Sequence, residues 1–221
     1  PVAVGDGATL PVAVPGEGAW REMLDGALAR RQFALQDYPV LAGDGSLVHR
    51  ELMLRLPAGG GEVLTAGQFM PAAARVGLAS ACALEAVRLG IERLKASPEP
   101  IAINVAPRSL IEPDFLDRLD VLLATAGSEA ARIALEVSER GLDAKLAGLD
   151  ALAEVLARHG AQLGIEHFGR QLAALPRLYA IRLAYLKLDG SFVAGLHENA
   201  GHQRLVKAIV DVARGLNVVV Y

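Results

Sequence analysis

The sequence predicts an α/β fold of the TIM-like (β/α) barrel type that begins with an antiparallel strand pair. Three observations support this prediction. The chain has 221 residues, somewhat fewer than the ~250 residues typical of such barrels. Two strand-like runs, 33–40 and 47–56, flank a short turn that contains glycine and aspartate. After this hairpin, short apolar runs alternate with amphipathic helices, which is typical of a parallel sheet covered by helices.

The predicted elements follow an irregular start. Residues 1–19 are rich in glycine and proline and are expected to be a lead-in, so that 20–221 form one barrel domain. Amphipathic helices are predicted over 20–31, 66–76, 79–96, 113–126, 143–159, 171–179 and 201–214. Apolar strands are predicted over 101–105, 133–137, 161–165, 183–188 and 217–220. With the hairpin this makes seven strands, so we expect the barrel to lack its last strand within this sequence.

The composition excludes several classes of protein. Hydrophobic residues make up 52% of the chain and charged residues 21%, which excludes a disordered chain. The formal net charge of −3 indicates no basic surface, so duplex nucleic acid is not expected as a partner. A single cysteine, Cys82, excludes a disulfide framework and a cysteine-rich zinc site, and is assigned to packing. The sequence contains no uninterrupted run of ~18 apolar residues, so no membrane-spanning helix is predicted.

Polar residues stand at the carboxyl ends of several predicted strands. They are Glu51, Asn104, Glu136, Glu139, Glu166, His167, Lys187 and Asp189. In a barrel these strand ends meet at one mouth, where active and binding sites are built. Carboxylate and amide oxygens suit Mg²⁺ or Mn²⁺, and a lysine beside them can hold an anion. A single polar strand end is more often a cap or a surface residue, but five strand ends with the same pattern indicate a functional mouth.

The remaining histidines give no sign of a metal site. Positions 49, 159, 197 and 202 share no helical face, so these histidines are interpreted as solvated or structural.

Six blocks of the sequence resemble the EAL domains, bacterial barrels that bind or hydrolyse the second messenger cyclic di-GMP. The blocks are Glu51-Leu52-Met53-Leu54-Arg55, Phe69-Met70-Pro71, Ile103-Asn104-Val105, Leu135-Glu136-Val137-Ser138-Glu139, Glu166-His167-Phe168-Gly169 and Leu186-Lys187-Leu188-Asp189-Gly190-Ser191-Phe192-Val193. They occur in the family's order and spacing over about 33–220, so their combination is specific although no single block is.

The resemblance implies roles for the residues at matching positions. In active members, the residues matching Glu51, Asn104 and Glu136 hold Mg²⁺ or Mn²⁺. Lys187 matches a lysine that assists the attacking water, and Glu139 matches a glutamate that steadies the loop after the fifth strand. Arg55 matches an arginine that grips a ligand phosphate, a charge-assisted contact that can be bidentate. The ligand-binding residues that follow from the resemblance are Arg55, Glu51, Asn104, Glu136, Glu166, Lys187 and Asp189.

The sequence departs from the family pattern where active members carry paired aspartates that bridge two metal ions. The pair here is Glu166-His167, in which a longer carboxylate and an imidazole replace hard oxygen ligands. A two-metal site, with ions ~3.5–4 Å apart, tolerates little of this change. The Tyr-Gln-Pro of the first strand is Asp37-Tyr38-Pro39, so a ligand-contacting glutamine is lost. The glutamate-containing block that follows the seventh strand in the family does not occur before Tyr221.

These departures favour a degenerate EAL domain that acts as a cyclic di-GMP receptor in bacterial signalling, such as biofilm or adhesion control, without useful hydrolysis. No cofactor is then expected. Lys187 and Glu139 would be vestigial in catalysis. The metal-binding residues would also be vestigial, and these are Glu51, Asn104, Glu136, Glu166 and His167.

The Glu-His-Phe-Gly form resembles the LapD-type inner-membrane receptors. This resemblance implies a cytoplasmic domain of a longer, membrane-anchored protein, with an upstream regulatory domain as a partner and a homodimer contact left open. Two alternatives remain: an active metal-dependent cyclic di-GMP phosphodiesterase, and a nucleotide-independent interaction domain.

Overall fold

The computed structural model describes residues 16–58, 60–139, 147–170 and 181–221. Within these residues, an eight-stranded mixed sheet is flanked by helices. The strands are β1 (Ala34–Leu41), β2 (Leu47–Pro57), β3 (Val63–Thr65), β4 (Ile101–Val105), β5 (Ile133–Ser138), β6 (Gln162–Phe168), β7 (Tyr185–Leu188) and β8 (Val219–Val220). The α-helices are α1 (Glu17–Ala29), α2 (Ala66–Arg75), α3 (Ala79–Ala96), α4 (Phe115–Ala126), α5 (Ala147–Arg158), α6 (Gly190–Val193) and α7 (Ala200–Gly215). Two 3₁₀ turns cover Pro107–Ile111 and Gly127–Arg132.

The sheet has the topology of a barrel that starts with an antiparallel pair. Its order is β1-β2-β4-β5-β6-β7-β8, with β3 beside β2. The β1–β2 pair is antiparallel, and all pairs from β2–β4 to β7–β8 are parallel. Because the carboxyl ends of parallel strands lie at the same edge, this order brings the polar strand ends together. Among the described strands, β8 does not pair with β1, so the sheet is not closed.

Alternation along β2 separates the core from the mouth of the barrel. Leu52, Leu54 and Leu56 are buried in the main hydrophobic core. Glu51 and Arg55 lie on the opposite face, because successive side chains of a strand point to opposite sides. By contrast, β4 and β5 are covered on both faces and therefore run almost wholly apolar. The polar residues that remain in these strands thus point into the barrel.

The structure differs from the predicted elements at their ends, and it adds the short strand β3, the short helix α6 and the two 3₁₀ turns. Residues 63–65 form β3, which is too short to show alternation; it forms because it pairs with the far end of β2. Helix α1 begins at Glu17, before the predicted 20, and the last strand is shorter than 217–220. The predicted helix 171–179, the start of 143–159 and residues 1–15 lie outside the described residues. The division into lead-in and domain stays a prediction. Among the described residues, no helix combines the length and the apolarity needed to cross a membrane.

Helix α5 approaches the 3₁₀ turn after β4 at a glycine. A Cβ added to Gly148 would lie 2.6 Å from the Leu110 Cβ and 2.9 Å from the Leu110 carbonyl oxygen. Because one of these atoms belongs to the backbone, the turn cannot give way by a side-chain rotation. The close approach holds α5 against the 3₁₀ turn that follows β4, the strand that carries Asn104.

We expect Gly148→Ala to lower the free energy of unfolding by roughly 1–3 kcal/mol, the usual effect of overpacking. Urea denaturation would measure this loss. The matched control is Gly67→Ala in α2, where the nearest atom to an added Cβ is 3.9 Å away. That substitution should stabilise the chain by up to about 1 kcal/mol, since alanine is the better helix former. Equal effects of the two substitutions would contradict the packing argument.

Candidate functional site

Three glutamates from three strands converge inside the barrel. Glu51 on β2, Glu136 on β5 and Glu166 on β6 each place a carboxylate oxygen within 4.8 Å of the others. Asn104 on β4 lies between two of these strands, in register with Glu136, and its Nδ2 donates a 2.8 Å hydrogen bond to Glu51 Oε1. The structure therefore brings together four of the residues that the sequence placed at the mouth.

The Lys187 ammonium bridges two of the three carboxylates. Its Nζ donates to Glu51 Oε2 at 2.9 Å and to Glu136 Oε2 at 2.8 Å. The side chain of Glu136 is fully buried and that of Lys187 is 15% exposed, so the ion pair is largely shielded from water. Such shielding strengthens the attraction between the charges and makes an unpaired charge costly.

The pKa values in this cluster reflect the competition between burial and charge. Burial raises the pKa of Glu136 and outweighs its contacts with Lys187 and Tyr185. Burial also disfavours the charged form of Glu51, but the Lys187 ammonium and the Asn104 hydrogen bond outweigh it and lower the pKa of Glu51. The pKa of Lys187 is raised, because attraction to Glu136 and Glu51 exceeds the effect of burial. Lys187 is therefore held as the charged ammonium at neutral pH.

Glu136 is in contact with two stacked rings, those of Tyr185 and His49, which we call the aromatic layer. The Tyr185 hydroxyl donates a 2.6 Å hydrogen bond to Glu136 Oε1. Gly164 pairs with both of these residues in the sheet, and a Cβ at this glycine would lie 2.4 Å from the Tyr185 ring. The missing side chain of Gly164 thus provides the space in which the Tyr185 ring reaches Glu136.

His49 is the second member of the aromatic layer, and the Tyr221 ring contacts both His49 and Tyr185. The His49 ring stacks on Tyr185 with centroids 5.5 Å apart, and its Nε2 lies 3.7 Å from Glu136 Oε1. His49 is 4% exposed, and burial lowers its pKa to about 4. The sequence interpretation of His49 as structural did not place it under the mouth. Its position two residues before Glu51, on the same face of β2, was the available signal.

A β-bulge separates the two residues that stand in place of the paired aspartates. In the β6–β7 register, Ile165 pairs with Leu186 and Phe168 pairs with Leu188. Two residues, Glu166 and His167, therefore face one residue on β7. His167 has a positive φ of 53°, and its side chain is 48% exposed.

The bulge leaves only one of these two side chains in the three-carboxylate cluster, although the His167 Nε2 lies 3.8 Å from Glu166 Oε2. Glu166 joins the carboxylate cluster, whereas the cluster found among the described residues does not include His167. The His167 Nδ1 lies 3.6 Å from Asp189 Oδ2.

Glu139 and Asp189 hold the backbone around the mouth. The buried Glu139 carboxylate accepts hydrogen bonds from the backbone N–H groups of Gly169 at 3.2 Å and Arg170 at 2.9 Å. Asp189 caps α6, since its Oδ1 accepts from the Ser191 N–H and hydroxyl, and it also accepts from the Arg170 guanidinium. The hydrogen bonds from Ser191 and Arg170 hold the pKa of Asp189 well below its usual range. Neither carboxylate belongs to the three-glutamate cluster.

Arg55 lies at the rim, on the same face of β2 as Glu51. Its Nε donates to Gln36 Oε1 at 2.9 Å, its Nη2 to the Tyr38 hydroxyl at 2.9 Å, and its Nη1 to the Leu54 carbonyl at 3.1 Å. Four residues of a strand span about 13 Å, so Arg55 and the glutamate cluster are separate regions of one mouth.

The donor set at the glutamate cluster fits one divalent cation. Besides the three carboxylates, the buried Asn104 Oδ1 has no hydrogen-bond partner among the described residues, so one further oxygen is available. With all three glutamates ionised and Lys187 protonated, the cluster carries a net charge of −2, which one divalent cation would neutralise. His167 adds no oxygen ligand for a second ion.

This chain belongs to the EAL domain family: the family model described as "EAL domain" matches residues 21–221. The family resemblance is thereby confirmed. The chain is similar to the RNase E specificity factor CsrD of Escherichia coli K12, at 29% identity over 219 residues that cover 96% of this chain and 33% of CsrD. It is also similar to the cyclic di-GMP phosphodiesterase PdeF of the same organism, at 27% identity over 201 residues that cover 89% of this chain and 27% of PdeF. The chain thus spans about a third or less of these relatives.

The predicted fold is confirmed by comparison with a solved structure. The structure described as "Vibrio cholerae LapD S helix-GGDEF-EAL (bound to c-di-GMP)" superposes with a TM-score of 0.85 and 21% identity. The superposition covers 96% of this chain and 52% of that chain. At this level of identity the likeness establishes the barrel architecture.

We expect burial of neutral His49 to make the stability of the chain depend on pH. The pKa of this histidine falls from 6.5 to about 4 on folding, so between these values the unfolded chain binds a proton that the folded chain does not. The free energy of unfolding should therefore fall as the pH is lowered through this window, by about 3 kcal/mol from this group. Urea denaturation at pH 7 and pH 4 would measure the fall in the wild type and in His49→Phe. A fall of the same size in both proteins would refute the assignment to His49.

Proposed function

We propose that this chain is a cyclic di-GMP receptor domain that binds the messenger without useful hydrolysis. The observation that carries the proposal is the bulge at Glu166-His167, which supplies one glutamate to the cluster and leaves the imidazole outside it. Two-metal phosphoryl chemistry needs a pair of ions ~3.5–4 Å apart that stabilise both the attacking and the leaving oxygen. Among the described residues, the cluster of carboxylate oxygens at this mouth offers ligands for one ion.

The glutamate cluster has a defined place in the proposal. Glu51, Asn104, Glu136 and Glu166 would hold one Mg²⁺ or Mn²⁺, which would supply Lewis-acid polarisation of a phosphate oxygen when bound. Lys187 contacts two of these carboxylates and therefore competes with a cation for them. Ligand binding does not depend on the cation alone, because Arg55 stands apart at the rim and can anchor a phosphate by its own charge.

A receptor responds to a ligand by binding it more tightly in one of two conformations than in the other, which shifts the equilibrium between them. The shift lasts while the ligand stays bound, so a receptor is served by a site that does not consume its ligand. The segment that responds would be an upstream regulatory domain of the longer protein, with a homodimer as an additional contact. The LapD structure, whose description names both further domains and bound c-di-GMP, supports this arrangement. Attachment of the parent protein to the inner membrane, with this domain in the cytoplasm, belongs to the same proposal.

The rival function is a working phosphodiesterase. The similarity to PdeF favours it, and so does the retention of Glu51, Asn104, Glu136 and Lys187 around one cation position. The two functions differ in turnover, while both require binding of cyclic di-GMP. A nucleotide-independent interaction domain would show neither.

We expect Arg55→Ala to weaken cyclic di-GMP binding by about 10- to 150-fold, which corresponds to the 1.5–3 kcal/mol of a hydrogen bond to a charged group. Isothermal titration calorimetry would measure the dissociation constants. The matched control is Arg50→Ala, on the same strand but on its other face, where the guanidinium pairs with Asp37 and Glu99. Binding should be unchanged in this control. An unchanged dissociation constant in Arg55→Ala would remove the arginine from the proposed ligand site.

We expect negligible conversion of cyclic di-GMP to the linear dinucleotide in the presence of Mg²⁺ or Mn²⁺, because the carboxylate cluster found among the described residues provides for one cation and His167 lies outside it. Product would be followed by chromatography, with PdeF assayed in parallel as the active control. Turnover near 1 s⁻¹, the low end of ordinary enzyme rates, would reject the receptor proposal and support the phosphodiesterase.

A further inference from the structure

The rim of the barrel carries an exposed tyrosine that the glutamate site does not use. Tyr38 on β1 pairs with Glu51 in the antiparallel register, so its side chain lies on the face that points into the mouth. It is 43% exposed, although tyrosine rings usually bury most of their apolar surface. Tyr38 also stands where the resemblance places a ligand-contacting glutamine.

The hydroxyl of this tyrosine holds Arg55 in a fixed position. Three acceptors surround the guanidinium: the Gln36 amide oxygen, the Tyr38 hydroxyl and the Leu54 carbonyl. These bonds use three of the five N–H groups of an arginine, one on each nitrogen. One N–H on each Nη atom lies outside these three bonds and is available to a phosphate, a group that arginine binds by charge-assisted hydrogen bonds.

The ring of Tyr38 lies between the glutamate cluster and Arg55. Its Cβ lies opposite Glu51, while its hydroxyl reaches Arg55 four residues further along β2. The guanidinium carbon lies 5.9 Å from the ring centroid. The ring therefore lies beside the position of a phosphate held by Arg55, with much of its surface open to solvent.

We propose that Tyr38 is a base-binding residue: its ring stacks on a purine of the nucleotide whose phosphate Arg55 holds, and its hydroxyl, with Gln36, positions that arginine. The proposal rests on the proposed function, since it assumes a nucleotide at Arg55. An exposed aromatic ring beside a phosphate-binding cation is the combination by which proteins bind nucleotides through base stacking and charge together.

The test compares cyclic di-GMP binding by the wild type, Tyr38→Phe, Tyr38→Val and the control Leu41→Val, using calorimetry on chains whose folding is checked by circular dichroism. Leu41 lies on the same strand, is 55% exposed and is at the hairpin end away from Arg55. We expect Tyr38→Val to weaken binding about tenfold, as loss of one base–aromatic stack does. Tyr38→Phe keeps the ring and should lose much less, and Leu41→Val should bind as the wild type does.

Combination with Arg55→Ala separates stacking from positioning. In that background, the loss from Tyr38→Val should persist, because the ring acts on the base directly. The small loss from Tyr38→Phe should disappear, because the hydroxyl acts through the arginine.

The outcomes distinguish this inference from the proposed function. If the folded wild type does not bind cyclic di-GMP, the proposed function fails and the inference fails with it. If the wild type binds and Arg55→Ala weakens binding, but Tyr38→Val matches the Leu41→Val control, only the inference is wrong. Equal losses in Tyr38→Phe and Tyr38→Val would likewise overturn the role of the ring.

Discussion

The ion pair between the Lys187 ammonium and the carboxylates of Glu51 and Glu136 is the interaction on which the mouth of the barrel depends. Three glutamates would repel one another inside a shielded cavity, and a buried charge without a partner is costly. Lys187 comes from β7 and the glutamates come from β2 and β5, so the ion pair links β7 to two strands that are not adjacent to it in the sheet. The lysine both stabilises the cluster and limits the charge available to a cation.

Much of this architecture could be predicted from the sequence, because parallel strands impose simple geometry. Once β2, β4, β5 and β7 are recognised as parallel strands of one barrel, their polar ends must meet at one mouth, and Glu51, Asn104, Glu136 and Lys187 do meet. The position of His167 could not be predicted, because it depends on a bulge that only the register reveals. Asp189 was expected among the ligand-binding residues; it caps α6, and its ligand role stays a prediction.

The contacts that escaped prediction are side-chain contacts between distant strands. His49 and Tyr185 are far apart in sequence, and nothing in either segment indicates that their rings stack. The hydrogen bonds from Arg55 to Gln36 and Tyr38 depend on the β1–β2 register. A shift of that register by one residue would turn both β1 side chains to the other face of the sheet. The family resemblance draws attention to a lost glutamine, whereas the register reveals what the replacing tyrosine contacts.

Gly164 has a consequence for how this domain can evolve. The Tyr185 ring occupies the space where a side chain at position 164 would lie, so residues 164 and 185 on neighbouring strands compete for the same space. A larger residue at 164 would be tolerated only together with a smaller residue at 185, and the smaller residue would leave Glu136 without its phenolic hydrogen bond. The two positions should therefore covary among related chains, and chains that change both should differ in the chemistry of the glutamate beside them.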